Sequence, residues 1–189
     1  MQAYLVAGPA VEPVSLADAK AHLRLDGPDE NDLVLGLVRA ARVSVEAATR
    51  LRLVDQTWRV VLDSWPSDGV VALPLAPVRS VSALRIASPG GAPVGHAPAL
   101  ARLDSSGDPP RLRPDPALPA PGTAIGGIEI DLVCGFGAAP ESVPEPLRLA
   151  IRLLVGRWFA ARGDGDGASA RPADVEALLA PFRRPRLVA

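Results

Sequence analysis

Two different periods organise the apolar positions of this chain. Between Val143 and Arg162, Leu147, Ala150, Ile151, Leu154 and Trp158 recur at three- and four-residue spacing, while Arg148, Arg152 and Arg162 fall elsewhere. That is an amphipathic helix with one packing stripe and a remainder facing water or a partner. Pro144 and Pro146 suit its first turn, where a missing N–H costs nothing. Near the N-terminus, Ser15-Leu-Ala-Asp18 reads as a capping-box variant opening a short helix to about Arg24, which Asp26-Gly27-Pro28 breaks. Asp29, Glu30 and Asp32 then fall in the first turn of a longer helix, where the positive end of the dipole favours acids. Its packing stripe is Val34, Val38, Ala41, Val45 and Ala48, with Leu33, Leu37, Ala40 and Leu51 alongside and Arg39, Arg42, Arg50 and Arg52 in the later turns.

Between these helices the period shortens. Gln56–Asp63, Gly69–Pro74, Val78–Ile86 and Ile125–Val133 are rich in β-branched residues and read as strands, with Leu100–Leu103 and Arg111–Arg113 as weaker candidates. Ile128, Ile130 and Leu132 alternate cleanly and define an inward face, whereas Val81, Ala83, Leu84 and Ile86 do not. Proline and glycine dominate from about 88 to 122, which favours loops and edge strands. The expected class is α+β: a helical body formed by residues 1–54 and 143–189, with a small antiparallel β module, 55–142, inserted. In that body Val34, Val38, Ala41 and Val45 pack against Leu147, Ile151, Leu154 and Trp158.

With 189 residues, 48% of them hydrophobic, the chain can bury a core as one domain or two small ones. It has no apolar run long enough for a membrane span and no basic-then-apolar leader, which predicts a cytosolic protein away from membranes. The single cysteine, Cys134, excludes an internal disulfide and reads as a buried strand-end residue. A net charge of −1 and the lack of a basic block, apart from Arg183-Arg184-Pro185-Arg186, disfavour sequence-specific nucleic-acid binding.

Catalytic constellations are missing from the pattern. His22 lies on the short first helix and His96 in a Pro/Gly-rich loop, so the two belong to no visible triad or metal set. Gly163-Asp-Gly-Asp-Gly167 lacks the later ligands of a calcium loop and reads as a linker between helices. Glu129 and Asp131 sit two apart on one face of a strand, for which exposure is the simple account. The expectation is no enzyme, no metal and no cofactor. A non-catalytic ligand-binding or regulatory α+β module is the alternative class.

The order of parts carries more than any one residue. Pro13-Val-Ser-Leu-Ala-Asp-Ala-Lys-Ala-His-Leu-Arg24 at the start is followed by an insert containing Gln56-Thr-Trp58 and Leu73-Pro-Leu-Ala-Pro-Val-Arg-Ser-Val81. Next come Gly135-Phe-Gly137, Val143-Pro-Glu-Pro-Leu147 with its Trp-bearing helix, and Asp174-Val-Glu-Ala-Leu-Leu-Ala-Pro-Phe-Arg183. Over nearly its whole length this arrangement resembles the head-tail connector, or adaptor, proteins of long-tailed phages, a group that extends to the phage-like gene transfer agents.

The resemblance implies a structural role at the head–tail junction of a virion-like particle assembled in the bacterial cytoplasm. It implies a homo-oligomeric ring, commonly twelve-fold, beneath the portal protein, offering a platform to a stopper or tail-terminator protein while DNA passes through the middle. It also implies that the C-terminal segment reaches the portal, which makes Phe182, Arg183, Arg184, Arg186, Leu187 and Val188 the docking candidates. Arg39, Arg42 and Arg50 are candidates for the contact between neighbouring subunits.

Overall fold

A computed structural model describes residues 1–161 and 171–184. The chain divides into two compact units, one formed by Met1–Pro9 and Asp55–Phe136, the other by Ala10–Val54 and the described residues from Gly137 onward.

The first unit is built from strands, with one short 3-10 turn at Pro98–Leu100. Strands β1 (Gln2–Ala7), β2 (Gln56–Leu62), β4 (Val78–Ala87), β5 (Pro93–His96) and β8 (Ile128–Cys134) form an antiparallel sheet in the order β1-β2-β8-β4-β5. The short β3 (Val71–Ala72), β6 (Ala101–Asp104) and β7 (Arg111–Pro114) form a second sheet in the order β3-β7-β6. Alternate residues of β2 and β8, namely Val60, Leu62, Ile128, Ile130, Leu132 and Cys134, are buried in one core with Leu84, Ile86, Val71, Leu73 and Leu112. Each such aliphatic side chain contributes about 1.5–3 kcal/mol relative to exposure.

Several departures from the sequence expectation have local causes. Residues 1–9 belong to the sheet and not to the helical body, because Gln2–Ala7 pairs with β2 across 56 to 62. As an edge strand with most of its side chains exposed, β1 shows no alternation to betray it. Residues 137–142 go with the helices. The irregular pattern of β4 reflects two register shifts against β8, between Val78 and Ser80 and between Val81 and Ala83, each of which moves later side chains to the other face. The last strand begins at Ile128 because Gly126 has φ +64° and a Cβ on Gly127 would lie 2.5 Å from that of Pro121. Ile125 is left 85% exposed.

The second unit is helical: α1 (Leu16–Leu23), α2 (Asn31–Thr49), α3 (Glu145–Ala160) and α4 (Ala173–Leu179). Ser15 Oγ accepts the N–H of Asp18 at 3.0 Å, a side-chain cap that starts α1. Arg24 and Arg50 close α1 and α2 in the left-handed conformation, φ 57° and 61°. Helix α2 packs on α3, α1 packs on both, and α4 packs on α3 and α2. Val34, Val38, Ala41 and Val45 are fully buried with Leu147, Ala150, Ile151 and Leu154. Trp158 is only half-buried, and Val155 at 1% exposure joins the packed stripe in the preceding turn.

Candidate interaction surfaces

Tyr4, Arg59, Asp131 and Ala83 stand side by side across β1, β2, β8 and β4, on the face of the larger sheet opposite the core. In the next row Glu129 faces Arg85. Asp131 is 6% exposed, which corrects the expectation that it faces water. Arg59 donates to it from Nε at 2.6 Å and from Nη2 at 3.0 Å, and Arg85 Nη1 donates at 2.9 Å. Glu129 Oε2 lies 3.0 Å from Arg59 Nη1 and 3.7 Å from Arg85 Nη1. Burial pushes the Asp131 carboxyl up, yet the hydrogen bonds from Arg59 and Arg85 prevail and hold it below the usual carboxylate range. The bond to Asp131 likewise raises Arg59 above its ordinary value. The two acids and two arginines clamp β2, β8 and β4 together by charge-assisted hydrogen bonds. Sequence reasoning missed this set because Arg59 and Asp131 are 72 residues apart. Their position between buried neighbours, Val60 on one strand and Ile130 and Leu132 on the other, was the available signal.

The smaller sheet carries an uncompensated pair. Arg102 and Arg113 are direct cross-strand partners, both exposed, and they border a cavity of about 400 Å³ together with Asp104 and Arg111. Asp104 is already engaged: the Ser106 hydroxyl at 2.6 Å and Arg111 Nη2 at 2.7 Å pull its pKa down to about 2.

In the helical unit, Arg42 donates to Glu12 Oε2 at 2.7 Å and to Glu46 Oε2 at 3.2 Å, with 12% of its side chain exposed. It is already engaged within its own chain, unlike the other two subunit-contact candidates. Arg39 and Arg50 are exposed. Arg148, expected on the outer side of α3, turns instead to Pro13 O at 3.1 Å and Glu145 at 3.1 Å. Of the docking candidates, Phe182 is half-buried, Arg183 pairs with Glu176, and the N–H of Arg184 donates to Thr49 O at 3.2 Å. Arg186, Leu187 and Val188 lie outside the described residues, as does the Gly163–Gly167 run.

His22 is exposed on α1 and His96 lies in β5. Cys134 is a fully buried thiol in no disulfide. Among the described residues no group of three or more His, Cys, Asp or Glu side chains is placed to hold a metal, and no helix is long and apolar enough to cross a membrane.

Among the described residues these polar groups join strand to strand and helix to helix in an α+β protein. Comparison with solved structures specifies the family. The chain is similar over 100% of its length, and over 98% of theirs, to chains in the neck of an empty gene transfer agent particle computed with C6 symmetry (TM-score 0.82, 31% identity) and in the virion of a native gene transfer agent particle (0.80, 31%). A third similar chain comes from the neck of the native particle computed with C12 symmetry (0.76, 30%). No protein-family model and no curated protein matches it. The chain belongs to the family of these gene transfer agent neck proteins and is a structural component of a phage-like particle.

Proposed function

We propose that this protein is the head–tail connector of a gene transfer agent or related phage-like particle. It forms a ring, twelve-fold in the particle, between the portal protein and the stopper or tail-terminator protein, and DNA passes through that ring. The observation that carries this reading is end-to-end similarity to chains of particle necks computed with six- and twelve-fold symmetry. A net charge of −1 suits a passage for DNA, since a lining of many arginines would hold phosphates through counterion release and slow transit. The C-terminal segment, through Phe182, Arg183, Arg184, Arg186, Leu187 and Val188, is the portal contact; of these, Arg183 and Arg184 also bond within the helical unit.

The test mixes the protein with its cognate portal and images the product by electron microscopy. Ring-on-ring complexes are expected. Removal of residues 185–189 leaves the fold intact and abolishes capture by the portal in a pull-down. Retained capture overturns the docking assignment, and failure of the intact protein to form any ring on the portal overturns the connector reading.

A further inference from the structure

Helix α2 is apolar on two opposite sides, whereas a surface helix needs one. Opposite the buried stripe of Val34, Val38, Ala41 and Val45 run Leu33, Gly36, Ala40, Val43 and Ala47, at alternating three- and four-residue spacing. Leu33 is 40% and Val43 is 54% exposed, and a Cβ built on Gly36 meets no atom within 4 Å. The seam extends about 21 Å at 1.5 Å per residue. Arg39 and Arg50 accompany it, both exposed and neither paired with another described residue. Arg42, on the same helix, is satisfied by Glu12 and Glu46.

The complementary surface lies on the same unit. A groove of about 570 Å³ runs beside α1, lined by Leu16, Ala17, Ala21 and Leu25 with Asp26 at its rim. The ammonium of Lys20, also in this groove, is held by Gly27 O at 2.6 Å and Asn31 Oδ1 at 3.0 Å. Asp26 and Asp29 are exposed and neither is paired with another described residue. Apolar surface with free arginines and apolar surface with free aspartates thus occur on one chain, on different elements.

We infer that the outer seam of α2 in one copy packs into the α1 groove of the next copy, with Arg39 and Arg50 meeting Asp26 and Asp29. This rests on the ring reading above and names its subunit contact. A contact between two different patches repeats head to tail and makes a ring where its rotation closes, whereas α2 meeting α2 would close at two copies. Small residues at Gly36, Ala40 and Ala47 let the helices approach, and the charges at the rim set register and partner orientation.

The experiment uses the full chain assembled on its portal. Val43→Cys combined with Ala17→Cys, with the buried Cys134 left in place, is oxidised and run without reductant. A ladder of covalent oligomers reaching ring size is expected, and neither single-cysteine variant gives it. Val43→Glu and Arg39→Glu each reduce ring yield about tenfold with an unchanged thermal midpoint, and Arg39→Glu with Asp26→Arg restores it. Rings that form normally without a ladder and tolerate Val43→Glu overturn this contact and leave the connector reading standing. Absence of rings from the unmodified chain overturns both.

Discussion

Glu46 Oε1 accepts the backbone N–H of Leu53 at 3.0 Å, seven residues further along the chain. This carboxylate is 4% exposed and its other oxygen takes Arg42 at 3.2 Å and Arg52 at 3.9 Å. One side chain therefore sets how the chain leaves α2 and enters the segment that buries Leu53 and Val54. Glu46→Ala orphans a buried N–H while Arg42 keeps Glu12, and is expected to cost about 1–3 kcal/mol. Glu46→Gln keeps an acceptor for Leu53 and costs less. Urea unfolding of both variants checks the ranking.

Asp131 predicts an acid-sensitive β unit. Its pKa is lowered in the folded state, so its contribution is fully present above the unfolded value of about 3.9 and is lost as pH falls from there through the folded value. Asp131→Asn is expected to flatten the decline of stability below about pH 4 and to lower stability at pH 7. Thermal midpoints measured from pH 7 down to pH 3 decide it. Parallel curves for the two proteins would remove Asp131 as the cause.

Arg102 and Arg113, opposed across β6 and β7, repel each other. Replacing one with an acid turns the repulsion into a cross-strand ion pair, so Arg113→Glu is expected to stabilise by roughly 0.2–1 kcal/mol at low salt. The gain should shrink as salt is added. Differential scanning calorimetry at two ionic strengths tests both statements.

Gly122 touches backbone where a side chain would go. A Cβ there would lie 2.2 Å from Ser88 O and 2.4 Å from Pro89 N, and the Gly122 N–H already donates to Ala87 O at 2.7 Å. Gly122→Ala must displace main chain and is expected to cost about 1–3 kcal/mol. Gly8→Ala, where nothing lies within 4 Å, should be close to neutral. Chemical denaturation of the pair separates crowding from any general effect of losing glycine.

What could be read from the sequence was whatever a local period records. The stripe Val34, Val38, Ala41, Val45 and the alternation Ile128, Ile130, Leu132 each announce one buried side, and all these residues are fully buried. What escaped depends on pairing. Gln2–Ala7 is a strand because β2 lies beside it, and Pro93–His96 because β4 does. Arg59 and Asp131 form a clamp only through the β2–β8 register. The second apolar side of α2 was visible as Leu33 and Ala40, but a stripe and a flank look alike until burial distinguishes them. Arg42 was chosen for an outer role by helix position alone, and the nearby carboxylate of Glu12, thirty residues earlier, could not be anticipated from spacing.

The thread of the backbone through the two units also constrains how this molecule can come into being. It begins in the larger sheet with β1, leaves at Pro9 to make two helices, returns at Asp55 for all the remaining strands, and departs again after Phe136. Neither half corresponds to an uninterrupted stretch of gene. On the ribosome, β1 emerges with no partner until β2 follows some fifty residues later, and α2 must wait for α3, which starts at Glu145. Most of the contacts that matter are thus distant along the chain, the condition associated with slow, all-together folding. A nascent or truncated copy lacking its last third would have no completed half to offer.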